Sequence, residues 1–130
     1  MSACSALETL IASAADLCCK PFHHAVLSAE DATPDDYRGR IECRDGDGQR
    51  LEELDLELEV YRSGADLNLT LAWADQPLRP ILWHGQHPVW MDGETGKRCS
   101  VPADGAALEA LARRILSLIH ISEPTRLSAI

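Results

Sequence analysis

The chain has 130 residues, of which 45% are hydrophobic and 25% charged, and its formal net charge at pH 7 is −9. This mixture excludes a disordered chain, and the length suits one domain with one hydrophobic core. The acidic balance argues against nucleic acid and anionic membranes as partners, because both are bound through Lys and Arg. No apolar run is long enough to span a bilayer, so we predict no membrane segment.

A helix is predicted at the N-terminus. Over residues 5–20, apolar side chains recur at three- and four-residue steps, which places them on one face of a helix. Pro21 ends it, because the residue before a proline disfavours helical geometry. The predicted buried face consists of Leu7, Leu10, Ile11, Ala14, Leu17 and Cys18.

An antiparallel sheet is predicted to follow. Residues 22–29 are a first strand candidate, and residues 30–36 form an acidic loop. Residues 37–44, 51–61 and 67–73 alternate between apolar and polar side chains, as expected for half-buried antiparallel strands. Residues 81–84, 88–91 and 98–101 are shorter strand candidates. The inward residues of the three long strands are Ile41, Cys43, Leu54, Leu56, Leu58, Val60, Leu67, Leu69, Leu71 and Trp73, and the outward residues of the third are Asn68, Thr70, Ala72 and Ala74.

A second helix is predicted over residues 105–115, with Asp104 as its N-cap and apolar residues at Leu108, Leu111, Ala112 and Ile115. The fold class is therefore α+β: an N-terminal helix, an antiparallel meander of about six strands and a C-terminal helix, with the helices on one face of the sheet. Residues 1–115 are predicted to form one domain.

Residues 116–126 have a different origin in this interpretation. From Leu116 to Arg126 they resemble, residue for residue, a transposase-type DNA sequencing adapter translated in frame. This resemblance implies that residues 116–130 are a non-native tail outside the fold. The alternative is a native helix that continues, since Leu118 and Ile119 extend the apolar stripe of the second helix.

Acidic residues are concentrated on one predicted strand. A period of two places Asp55, Glu57 and Glu59 together on its outer face. If the preceding hairpin turns at Asp47-Gly48, then Arg40 lies opposite Asp55 and Arg38 opposite Glu57. The simplest interpretation is a solvated face with cross-strand ion pairs. A docking face for a basic partner is the alternative.

The hairpin at residues 81–91 is the strongest functional lead. Gly85-Gln86 suits a two-residue type II′ turn, which needs a positive φ at the glycine. In that register one face carries Ile81, Trp83, Pro88 and Trp90, and the other carries Leu82, Val89 and Met91. Both faces are apolar, so either a helix covers each one or the tryptophan-rich face is a binding surface.

The histidines and cysteines give weaker signals. The same register makes His84 and His87 direct neighbours, which supplies at most half a zinc site. Cys18, Cys19, His23 and His24 straddle a helix break at a spacing unlike that of zinc ligands. We therefore predict no metal or other cofactor. The five cysteines have no disulfide spacing and no secretory signal precedes them, so we predict reduced thiols in the cytoplasm.

No catalytic motif is found, since the chain lacks G-x-S-x-G, H-E-x-x-H and dinucleotide-binding glycine patterns. In length, charge and element order it is similar to small acidic α+β proteins of the secretion-chaperone type, although no helix interrupts its predicted sheet. We expect a non-catalytic protein-binding or assembly factor. The alternative is a small-molecule or metal-binding domain, an enzyme included, built around the Trp83–Trp90 hairpin. The oligomeric state stays open.

Overall fold

The described residues form two helices and one six-stranded antiparallel sheet. The computed structural model describes residues 3–28 and 36–121. The predicted α+β class is confirmed, and the strands lie in chain order across the sheet. The elements are α1 (Ala3–Cys18), β1 (His23–Ser28), β2 (Asp36–Arg44), a 3-10 turn (Glu52–Leu54), β3 (Leu56–Ser63), β4 (Asp66–Trp73), β5 (Ile81–His84), β6 (Pro88–Met91) and α2 (Gly105–Ile121).

Both helices cover the same face of the sheet, and we call this the covered face. Its strand residues pack with the helices into one core cluster. The predicted stripe of α2 is confirmed, because all four of its residues are buried. The cluster includes Ile11, Ala15, Ile41, Leu58, Leu71, Leu82, Trp90, Leu111 and Ile115.

The buried face of α1 differs from the predicted one. Leu10 and Leu17 are 40% and 52% exposed, whereas Ala15 is fully buried. The apolar residues of α1 extend around more of its circumference than one stripe, and the helix turns its small residues toward α2 and β1.

α2 continues beyond Ile115 to Ile121, and Ile119 is 7% exposed in the core cluster. The helix extends because Ile119 lies four residues after Ile115, on the same face. The helix thus continues through residues 116–121, as the spacing of their apolar side chains allows. Residues 122–126 of the adapter-like segment lie outside the described residues, as does the predicted acidic loop before Asp36.

The register between β2 and β3 differs from the predicted one. Arg40 lies opposite Glu57, and Arg38 lies opposite Glu59. The turn at residues 45–49 first pairs Arg44 with Arg50, and the 3-10 turn then adds residues before β3 begins. Residues 51–55, predicted as the start of the strand, therefore lie outside it, and the pairing is displaced along β3.

The β5–β6 register was also predicted wrongly. His84 lies opposite Pro88, so the loop holds three residues, Gly85, Gln86 and His87. Gly85 has no positive φ and is needed for space instead, since a Cβ there would lie 2.5 Å from Asn68 Oδ1. One extra loop residue moves every side chain of β6 to the opposite face.

Two smaller expectations fail in the same region. Asn68 and Ala74 were predicted outside the core, yet they are 6% and 1% exposed. Residues 98–101 form no strand; Arg98 makes one isolated bridge with Met91. The Cys99 N–H donates to Trp90 O at 2.8 Å, so this segment lies along the outer edge of β6.

Candidate functional site

The candidate site is the open face, the side of the sheet that points away from both helices. Its central row crosses five strands as Arg38, Glu59, Thr70, Trp83 and Val89, each opposite the next. A groove of about 840 Å³ lies over this side. None of the described elements packs on it. The open face has a charged half on β2 and β3 and an apolar half on β5 and β6.

The apolar half of the open face consists of Ile81, Trp83, Val89 and Met91, which are all half-buried. Of these, Ile81 and Met91 line the groove. Trp83 lies opposite Val89, and Ile81 lies opposite Met91. The Trp83 Nε1–H donates to the Tyr61 hydroxyl at 2.8 Å, which fixes the indole over the sheet. The polar atom of the ring is thus satisfied within the chain, and its apolar surface is available to a partner.

The charged half is largely paired within the chain. Arg38 Nε donates to Glu59 Oε2 at 3.1 Å. Arg40 donates to Asp75 Oδ2 at 2.8 Å and to Asp55 Oδ2 at 3.3 Å. Among the described residues, Glu57 forms no ion pair and is exposed. The predicted acidic face therefore offers one uncompensated carboxylate at its centre.

Asp55 does not belong to the open face, contrary to the prediction. It follows the 3-10 turn and is fully buried. Its carboxylate accepts hydrogen bonds from Arg50 at 2.7 Å and from the Cys43 N–H at 2.9 Å, besides that from Arg40. Burial alone raises the pKa of Asp55, but the hydrogen bonds from Arg50 and Cys43 outweigh it and hold the pKa below its usual value.

Trp90 and Pro88 are likewise absent from the open face, because the three-residue loop places β6 in the other register. Trp90 is 2% exposed and stacks on Trp73 with ring centroids 6.1 Å apart. Its Nε1–H donates to Glu109 Oε2 of α2 at 2.7 Å. The predicted surface of Ile81, Trp83, Pro88 and Trp90 therefore does not exist as one patch.

His84 and His87 are also separated. His84 is 4% exposed on the covered face, where its ring nitrogen Nδ1 lies 3.0 Å from Gly85 O. His87 is an exposed loop residue. They are not opposite each other, since His84 pairs with Pro88. Across residues 3–28 and 36–121, no three His, Cys, Asp or Glu side chains come together in a way that could hold a metal ion.

A second cavity of about 190 Å³ lies under the end of α1. Cys18, Cys19, Cys43 and His24 line it, and His24 Nδ1 lies 2.9 Å from Asp16 Oδ1. Burial raises the pKa of Cys19 and of Cys43 to about 11, and neighbouring negative groups add to the effect. These thiols are therefore protonated near neutral pH and unreactive as nucleophiles.

Sequence reasoning found Ile81 and Trp83 but missed Val89 and Met91, which it placed on the opposite face. The alternation in β6 was correct, and the loop length was wrong. Residues 81–83 are all apolar, so no polar position marks which face is exposed. The narrow space at Gly85 depends on Asn68 of β4, which no local pattern reveals.

Comparisons with known proteins assign the chain to a family but indicate no activity. No helix in the described residues is long and apolar enough to cross a membrane. No curated protein matches the chain, and no solved structure matches it. A family model described as a domain of unknown function, DUF8659, matches residues 8–118. This match covers most of the chain, which therefore belongs to the DUF8659 family.

Proposed function

We propose that this protein is a non-catalytic protein-binding or assembly factor of the cytoplasm that holds its partner on the open face. One observation carries the proposal: Trp83 is anchored on a sheet face that none of the described elements covers. Tryptophan is the side chain most enriched among residues that dominate binding energy at interfaces. Here it shares the open face with three other apolar side chains, of which Ile81 and Met91 line the groove.

The groove also suggests the chemistry of the partner. Apolar side chains would contact Ile81, Trp83, Val89 and Met91. A Lys or Arg at the other side would meet Glu57, which has no ion-pair partner among the described residues. The net charge of −9 would draw a basic segment toward the protein over a longer range. The favoured partner is thus a basic, amphipathic protein segment.

The test is affinity capture from the native host, in which the amount of partner bound by the wild-type protein is compared with the amount bound by matched variants. Trp83→Ala and Glu57→Lys change the two halves of the open face. Leu78→Ala is the control, because Leu78 is 72% exposed and lies away from the groove. We expect one stoichiometric partner that Leu78→Ala retains, that Trp83→Ala loses and that Glu57→Lys weakens.

Circular dichroism of each variant separates lost binding from lost folding. If Trp83→Ala unfolds, Met91→Glu serves as the second variant, because Met91 is half-buried at the edge of the groove. A folded variant of the apolar half that keeps the partner at wild-type stoichiometry would contradict the proposal. So would the absence of any stoichiometric partner.

A further inference from the structure

The two edges of the sheet are protected differently. At the β6 edge, Pro88 opens the strand, and the segment after it folds back along the strand. The Asp92 N–H donates to Lys97 O at 2.7 Å, and the Cys99 N–H donates to Trp90 O at 2.8 Å. Backbone of the same chain thus occupies this edge. Such covering is one of the ways in which proteins prevent edge strands from pairing with other chains.

The β1 edge has none of these protections within the described residues. Its strand, His23–Ser28, contains no Lys, Arg, Asp, Glu or Pro, although 25% of the whole chain is charged. Among the described strands, β1 pairs with β2 alone. Leu27 is 52% exposed beside this edge. A neutral edge strand with an exposed leucine favours pairing with another strand.

We propose that β1 pairs antiparallel with β1 of a second copy, which gives a two-fold dimer with one continuous twelve-stranded sheet. A two-fold axis near Ala25, perpendicular to the sheet, keeps the helices of both copies on one side. Leu27 then lies opposite His23 of the second copy, on the open face, and Val26 lies opposite His24. The sequence is self-complementary in this register because the strand contains no Lys, Arg, Asp or Glu that would meet a like charge of the second copy.

The charges around β1 make this edge a more favourable place for two copies to associate than the rest of the surface. Each copy carries −9, so most surfaces repel one another. The neighbouring positions on β2 are Arg40, Glu42 and Arg44, opposite Leu27, Ala25 and His23. Their sum is one positive charge, so β2, the strand beside β1, is not itself acidic. Salt screens the remaining repulsion, so the dimer is expected to strengthen with ionic strength.

Leu27 lines the end of the groove at β1, whereas Trp83 lies on β5, so variants at these two positions test the dimer and the proposed function separately. Sedimentation equilibrium of the full chain over a wide concentration range measures it. We expect the wild type, Trp83→Ala and Leu78→Lys to form dimers, and Leu27→Lys to stay monomeric. Leu78→Lys is the matched control, since it adds the same charge at an exposed leucine away from β1.

A cysteine pair tests the position of the axis. In the proposed register the two Ala25 Cβ atoms lie close enough for a disulfide. Under mild oxidation Ala25→Cys should give a covalent dimer, whereas Ala65→Cys, in the exposed turn between β3 and β4, should not. A wild type that is monomeric throughout, a Leu27→Lys dimer as stable as the wild type, or a dimer abolished by Trp83→Ala alone would overturn the proposal.

Discussion

Asp55 joins the two strands of the β2–β3 hairpin from inside the protein. Its carboxylate accepts from Arg50, Arg40 and the Cys43 N–H while it is fully buried. Asp55→Ala leaves that N–H without its acceptor and removes the buried partner of both arginines, which keep only Asp75 and Glu42. We expect a loss of about 3 kcal/mol in the free energy of unfolding, from the usual cost of breaking a buried pair.

Urea denaturation of Asp55→Ala measures this loss. Glu57→Ala is the control on the neighbouring strand position, and its exposed side chain predicts a change within about 0.5 kcal/mol. Equal midpoints for the two variants would show that Asp55 is not the buried acceptor described above.

The same carboxylate predicts an acid-sensitive part of the stability. Because the pKa of Asp55 is lower in the folded state than in the unfolded state, its contribution is fully present above the unfolded pKa. The contribution is lost as pH falls through the folded pKa. Denaturation at a series of pH values should therefore show the wild type approaching Asp55→Asn in stability as the solution becomes acidic. A constant difference between the two would contradict the lowered pKa.

The thiols under α1 give a prediction about reactivity. With a pKa of about 11 for Cys19 and Cys43, about one thiol in a thousand is ionised at pH 8. Alkylation by iodoacetamide should be slow and should rise about tenfold per pH unit, since only the thiolate reacts. Peptide mass spectrometry of the native protein measures both sites. Rapid labelling that is insensitive to pH would contradict the burial of these thiols.

The β5–β6 hairpin shows what a sequence pattern can and cannot determine. Both strands were predicted, and their alternation was correct. Their pairing was predicted wrongly, because the sequence between the two strands is compatible with a loop of either two or three residues. The choice depends on contacts with β4 and α2, where Asn68 meets Gly85 and Glu109 binds Trp90. Tertiary contacts thus selected the face of each tryptophan.

The two tryptophans therefore differ in their expected effect on stability. Trp90→Ala opens a cavity beside Trp73 and should cost about 3–5 kcal/mol, as is usual for a buried aromatic residue. Trp83→Ala removes a half-buried ring and one hydrogen bond, and it should cost clearly less and leave the protein folded. Denaturation midpoints of the two variants decide between the registers. Similar losses for both would favour the two-residue loop.

The long strands were easier to predict than the segments between them. Leu56, Leu58 and Val60 of β3 are buried, as the period of two predicted. The alternation in the sequence places Asp55 on the outer face with Glu57. In the structure the 3-10 turn takes Asp55 out of the strand, and its carboxylate is buried against its arginine partners. Side-chain period carries no information about such a turn. The origin of residues 116–126 stays a prediction, since packing depends on apolar spacing and not on source.

For the molecule as a whole, the placement of both helices on one face decides what the other face can do. The sequence predicted that both helices lie on one face of the sheet. Which side chains the other face exposes depended on the β2–β3 and β5–β6 registers. The result is an open face on which Trp83 and its apolar neighbours lie next to paired arginines and Glu57. The proposal of a binding module depends on this open face, because exposed apolar patches mark contact sites.

The most direct test is photo-crosslinking from the open face in the native host. A benzophenone amino acid at Val89 lies opposite Trp83 on the open face, whereas the same residue at Leu78 is exposed elsewhere. We predict one discrete crosslinked product from position 89 that is lost in Trp83→Ala, and none from position 78. No product from position 89, or the same product from both positions, would contradict the open face as the binding site.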